Sequence, residues 1–376
     1  MRSFNRRSRL LACTAVALGS GATASTGTAT AAPLVSVFAT GDAVGGTQPD
    51  SITYGDGSVW VEYANGANGT GTNGRSSTIV RYSPTGAVQA TFSLPGNIDG
   101  LKVQPGTGTV LALANQDGNS SQFLINPTTN TASAAIPYAV PSTTRGYDDV
   151  AFLNGQTYLS HTNPAAPTDG VIEQISAGSN PITYTSVLPL QTTARDTVTG
   201  QPVLITDQDA DSLKATPDGR LQLTNGDQGR LLFVGNPGTA NQTVDQLLLV
   251  HPDGTPISSL DDASIVSAGD RTLLVTDTGL NTVFAVSLDG VTPGSLLVSE
   301  ESSAFLDLTN PATGLTTPFT TFPNAIGANG STSGPHGQAL VSFAVGATTV
   351  PEPASLVLIG GALAGLGVVR RRRRPA

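Results

Sequence analysis

Cysteine is nearly missing from this 376-residue chain: Cys13 is the only one. No disulfide can form within it, so a core must supply the stability. Lysine is almost as scarce. Lys102 and Lys214 are the two present and neither follows a glycine, so the Gly/Asn-rich stretch from Asn65 to Gly74 lacks a Gly-Lys phosphate loop and reads as a flexible insertion. The three histidines, His161, His251 and His336, are widely spaced; none opens an H-E-x-x-H motif, and no G-x-S-x-G occurs. The usual signatures of zinc peptidases and serine hydrolases are therefore missing. Glutamate is rare in the body of the chain, where Glu62, Glu173, Glu300 and Glu301 stand against 22 aspartates. Aspartate favours turns where glutamate favours helices, and no helix-period segment of convincing length appears, so the composition points to a turn-rich all-β fold.

Charge is distributed unevenly. Of the 18 basic residues, four lie at Arg2, Arg6, Arg7 and Arg9 and five close the chain as Arg370, Arg371, Arg372, Arg373 and Arg374. Nine remain for the body against 26 acidic residues, a formal net charge of −17. Nucleic acid and anionic membrane are poor partners for such a surface. The first arginines precede an apolar stretch, Leu10 to Leu18, and small residues ending in Ala29-Thr30-Ala31. That order predicts a secretory signal peptide over residues 1–31 and passage through the export machinery. Arg6-Arg7 also fits a twin-arginine signal, which leaves the export route open between two pathways.

At the other end, Val350-Pro351-Glu352-Pro353 precedes sixteen uncharged, mostly apolar residues, Ala354 to Val369, and then the five arginines. Sixteen residues at ~1.5 Å each make ~24 Å of helix against ~30 Å of hydrocarbon, so the segment is a short transmembrane helix that spans marginally. The arginine block would stay on the cytoplasmic side and stop translocation there. These three parts resemble the PEP-CTERM sorting tail over about the last 26 residues. A tail of this kind is also labelled an ice-binding protein C-terminal domain, a label that is no evidence for ice binding. The resemblance implies Pro351, Glu352 and Pro353 as the sorting motif and an exosortase as a partner. It also implies export in a Gram-negative bacterium that makes extracellular polysaccharide.

Residues 32–345 form the predicted domain, with residues 346–376 as linker and tail. Within the domain a unit recurs: an acidic residue, a short strand, a Gly-containing turn and a second apolar strand. Asp50 leads through Asp56-Gly57 to Val59-Trp60-Val61, Asp99 through Pro105-Gly106 to Val110-Leu111-Ala112, and Asp149 through Asn154-Gly155 to Tyr158-Leu159. Asp211 leads through Asp218-Gly219 to Leu221-Gln222-Leu223, Asp262 through Gly269-Asp270 to Leu273-Leu274-Val275, and His336 opens a last strand. A second turn, as in Ser83-Pro84-Thr85-Gly86 or His251-Pro252-Asp253-Gly254, lies between successive units. Val88, Ala90, Phe92 and Leu94 after the first of these alternate as a half-buried strand does. Four strands in about 50 residues make one propeller blade, and about 310 residues make six. The pattern predicts a six-bladed β-propeller, with the last strand from Gln338 to Ala344 closing the ring; a solenoid or a sandwich with insertions stays open. The Asp-Gly turns and strand openings resemble those of NHL and gluconolactonase-type propellers from Leu34 to Val345, except from Glu300 to Gly334, where the repeat loses register.

Two acidic groups stand out. Asp50, Asp99, Asp149, Asp211, Asp262 and His336 open successive units, so in a propeller they can converge on the central channel and bind calcium or a polyhydroxyl ligand. The simpler reading, that each caps a turn in its own blade, is favoured. Asp207, Asp209, Asp211 and Asp218 are spaced like the ligands of an EF-hand calcium loop, but Ser212 stands where that loop has glycine and no helices flank it. A solvated acidic loop is the favoured alternative. The expected function is a non-catalytic surface or exopolysaccharide-matrix protein binding polysaccharide or surface proteins. The alternative is a metal-dependent hydrolase of the lactonase type, which the missing glutamate at Pro49-Asp50-Ser51 weakens.

Overall fold

The apolar runs pair into six antiparallel sheets in the computed structural model, which describes residues 33–139, 146–176, 178–206, 209–323 and 332–345. The expected signal peptide, the whole of the linker and sorting tail at 346–376, and Asp207 lie outside these residues. The sheets are the blades of a six-bladed propeller. Their innermost strands are Pro49–Gly55, Ile98–Val103, Gly146–Leu153, Ala210–Ala215, Leu260–Ile265 and Pro335–Val341. Each packs beside the next around the ring, and the sixth packs beside the first. The described residues include no α-helix, only a 3-10 turn at Gly41–Val44.

The second and third strands of each blade are packed on both faces, which explains their nearly continuous apolar sequences. Ser58–Tyr63 is buried along its whole length. Its Val59 and Val61 enter the cluster shared with the sixth blade, through Phe38, Leu274 and Val341, while Trp60 faces the second blade with Ile98 and Leu101. Six such clusters, one between each pair of neighbouring blades, form the core. The fourth strand is an edge. In Val88–Pro95 only Phe92 and Leu94 are buried, and Val88 is half exposed.

The structure corrects the expected unit in two places. In the fourth blade the hairpin Thr193–Asp196 and Pro202–Leu204 adds two outer strands, which accounts for the 62 residues from Asp149 to Asp211 against 49 from Asp50 to Asp99. In the fifth, the strand Leu260–Ile265 does not turn through Gly269-Asp270 to pair with Thr272–Asp277. It pairs with Leu296–Glu300, followed outward by Phe305–Thr309 and Thr316–Thr321. The hairpin Thr272–Asp277 and Thr282–Ser287 belongs to the sixth blade, between Pro335–Val341 inside and the first strand of the body, Val35–Thr40, outside. The chain thus crosses between the last two blades. That crossing is why the repeat loses register after Glu300. The closing strand on the outer edge comes from the beginning of the body.

Candidate functional site

Every innermost strand breaks its ladder at the same point. Pairing slips between Pro49 and Ile52, Ile98 and Leu101, Tyr147 and Val150, Ala210 and Leu213, and Leu260 and Asp262. In the sixth blade it slips between Pro335 and Gln338. Such a bulge re-aims the side chains it carries. Its first residue is Asp50, Asp99, Asp148, Asp211, Asp261 and His336 in turn. The expected ring therefore holds Asp50, Asp99, Asp211 and His336 together, but Asp148 and Asp261 take the places assigned to Asp149 and Asp262. The second bulge residue is small where neighbouring backbones meet. A Cβ on Gly100 would lie 2.4 Å from the Asp148 carbonyl oxygen, and one on Gly337 would lie 2.6 Å from that of Asp50.

Asp149 and Asp262 sit one residue on and act as staples between blades. Asp149 Oδ2 accepts from Lys102 Nζ at 3.2 Å and from the Leu213 backbone at 3.0 Å, which ties the third blade to the second and fourth. Asp262 Oδ2 accepts from Lys214 Nζ at 2.7 Å and from the Gln338 backbone at 2.6 Å, which ties the fifth to the fourth and sixth. Lys214 Nζ also donates to Ser264 Oγ and to the Gln338 carbonyl oxygen, so all three of its protons are engaged. Burial pulls the Lys214 ammonium below its usual range and Asp262 partly restores it. Threonines of the second strands brace the bulges: Thr276 donates to the Asp50 carbonyl oxygen, and Thr224 to that of Asp261 at 2.8 Å.

The ring itself carries more carboxylates than its surroundings neutralise. His336 Nδ1 lies 3.2 Å from Asp50 Oδ1 and 3.1 Å from Asp261 Oδ1. Burial opposes a charge on that imidazole, but Asp261 and Asp50 outweigh it and hold its pKa well above the usual range. Asp99 is pushed well up by burial and then by Asp148 and Asp50, and burial raises Asp148 to about 7. Burial, then Asp261, pushes Asp211 well up. Asp261 rises to about 7 by burial, with His336 opposing. A mouth in this state holds protons or takes up a cation.

Among the described residues two groups bring their ligand atoms within 4.8 Å of one another: Asp50, Asp261 and His336, and Asp211, Asp261 and Glu301. In the first group His336, its pKa raised, already pairs with both carboxylates. The second is all oxygen, the donor set of a hard cation. The cavity among the ring aspartates has a volume of about 30 Å³. That suits one or two water-sized occupants and is too small for a sugar ring.

The acidic loop resembling an EF-hand is not assembled. Asp218 lies in the turn beyond Ala215, at the opposite end of the strand from Asp211, and is engaged by Thr216 and by Arg220 Nε at 2.9 Å. Asp209 stays near the ring, where burial and Asp227 raise its pKa. Glu301 and the two lysines were not among the residues expected at the channel. Both lysines stand three residues after a ring aspartate, Asp99 and Asp211, and that shared position is the signal that marks them.

Residues 349–374 match the PEP-CTERM protein-sorting motif. The motif implies export, recognition by an exosortase and membrane-anchored sorting at this end of the chain. No curated protein matches the chain. Among solved structures, the body is similar to the periplasmic gluconolactonase of Pseudomonas aeruginosa at 13% identity, covering 79% of this chain and 89% of that one with a TM-score of 0.45. It is also similar to virginiamycin B lyase from Staphylococcus aureus at 13% identity, 77% and 73% coverage and a TM-score of 0.40. A protein of unknown function from Bacteroides thetaiotaomicron gives 8% identity, 78% and 64% coverage and a TM-score of 0.47. Likenesses this distant say nothing of activity.

Proposed function

We propose that this is an exported surface or extracellular-matrix protein, brought across the membrane by the signal peptide at residues 1–31 and sorted through its C-terminal tail, whose propeller binds rather than catalyses. The tail is held for a time by the segment Ala354 to Val369 and the arginines after it. The propeller's acidic mouth takes one calcium ion, and Asp211, Asp261 and Glu301 supply the oxygens. The observation that carries this reading is that those three carboxylates each bring an oxygen within 4.8 Å of the others, two of them, Asp211 and Asp261, lining a cavity with room for an ion. A lactonase of the metal-dependent type needs space for a substrate ring beside its metal, and the 30 Å³ between the aspartates does not offer it. With the ion in place the mouth presents a calcium-organised acidic rim to polysaccharide or protein partners outside the cell.

The test is native mass spectrometry and calorimetric melting of the body with and without calcium. One ion should bind. At a calcium concentration about 100 times the dissociation constant the fold should gain about 2.7 kcal/mol. Asp261→Asn should remove both effects. Melting that is indifferent to calcium and to chelator, with no ion in the mass spectrum, would sink the calcium site.

A further inference from the structure

The channel has a second opening, at the far ends of the innermost strands, where a cavity of about 360 Å³ lies. That volume falls in the range of small-molecule sites. Its lining is mixed: Tyr54, Phe152, Ile265 and Leu340, from four different blades, supply apolar surface among polar side chains such as Gln222 and Gln338, and Lys102 and Lys214 both line it. We propose that this mouth binds a small organic carboxylate with an apolar body, its carboxylate on Lys102. None of the proposed calcium ligands lines this cavity, although Ile52 and Lys102 line both.

Three observations carry the proposal. The only two lysines of a chain whose body is strongly acidic are gathered at this one cavity. Their partners Asp149 and Asp262 line the small cavity among the ring aspartates and not this one, whereas Lys102 lines both, so its side chain stands between the acidic mouth and the larger space. Lys102 makes one hydrogen bond among the described residues, to Asp149, and an ammonium has three protons to give. Two donors are therefore free for a ligand, whereas Lys214 contributes its charge but no free donor.

The surroundings narrow the ligand further. The apolar part of the lining suits the apolar body of a ligand, and the Lys102 contact would be a charge-assisted hydrogen bond. Asp270, part of the same lining, accepts from the Ser267 backbone at 2.7 Å and repels a second anionic group. A monocarboxylate with an aromatic or aliphatic body satisfies all of these conditions. A dianion, a cation or a free sugar does not. The acidity of the rest of the body disfavours general adsorption of anions, so binding would have to be local.

The probe is 2-naphthoate, with neutral 2-naphthamide as its control, titrated calorimetrically into the purified protein. Naphthoate should bind at one site, about tenfold or more tighter than the amide, the scale of one charge-assisted hydrogen bond. Lys102→Met should erase that preference, Lys102→Arg should retain most of it, and Asp211→Asn at the other mouth should leave it unchanged. A second measurement needs no variant: naphthoate should protect Lys102 from reductive methylation read by peptide mass. Equal binding of acid and amide, an unchanged preference in Lys102→Met, or no saturable binding with no protection would overturn the proposal.

Discussion

Asp307 gives a stability test with a definite sign. It lies on the strand Phe305–Thr309, opposite Val298 and Pro318, and is 3% exposed. Its Oδ2 has no hydrogen-bond partner among the described residues. Burial first, and then Glu300, raise its pKa from 3.8 to about 7, with His251 opposing. Below pH 3.8 the folded and unfolded chains both hold the proton and the group has no effect. Between 3.8 and 7 the unfolded chain releases the proton and the folded one keeps it, so stability falls as pH rises; above 7 the loss is complete. Three units at 1.36 kcal/mol give a ceiling of about 4 kcal/mol, and partial solvation lowers the expected value to about 2–4 kcal/mol. Asp307→Asn should therefore stabilise the protein by that amount at pH 8.5 and change little at pH 4. Urea unfolding followed by the fluorescence of Trp60, the chain's single tryptophan and a buried one, reads the difference. Equal effects of the substitution at both pH values, or a loss of stability at pH 8.5, would refute the reasoning.

Two further outcomes follow from the packing. Lys214→Met should cost about 3–5 kcal/mol because it leaves Asp262 charged and buried without its cation, and adding Asp262→Asn should recover part of that; strictly additive losses in the same unfolding assay would contradict the pairing. Removing residues 33–40 takes away the outermost strand of the sixth blade and Phe38, whose ring meets Tyr82 edge-on at 5.8 Å. Calorimetry should then show a melting point lower by several degrees, and an unchanged melting point would show that the strand does not close the ring.

Much of this architecture is legible in the sequence because blades repeat a local pattern. Turn residues and alternating apolar positions mark where strands begin and end, and the 49-residue step from Asp50 to Asp99 gives the length of one blade. Two things are not written locally. Which strand pairs with Thr272–Asp277 depends on the whole ring, and a buried apolar strand such as Leu273-Leu274-Val275 fits either neighbour equally well. The bulge register is ambiguous wherever aspartates come in pairs: Asp148-Asp149 and Asp261-Asp262 each offer two residues of the same kind, and only the backbone slip decides which one faces the channel. Glu301 joins the ring from outside the repeat and has no periodic signature at all. The lysines did have one, in their common distance from Asp99 and Asp211, but a cation at the foot of an acidic channel is not suggested by a turn-and-strand pattern.

The crossing between the last two blades makes the order of synthesis matter. After Leu260–Ile265 appears, its partner arrives only with Leu296–Glu300, and the hairpin made in between waits until Pro335–Val341 supplies its inner neighbour. Neither blade can be completed, excised or exchanged by itself. The sixth also needs Val35–Thr40 on its outer edge, so the first and last strands of the body meet in one sheet. A chain truncated before Pro335 has an open ring and also lacks the sorting motif, which starts eight residues after Val341. Ring closure and the address label thus become available in the same short interval of translation, and a truncated product carries neither.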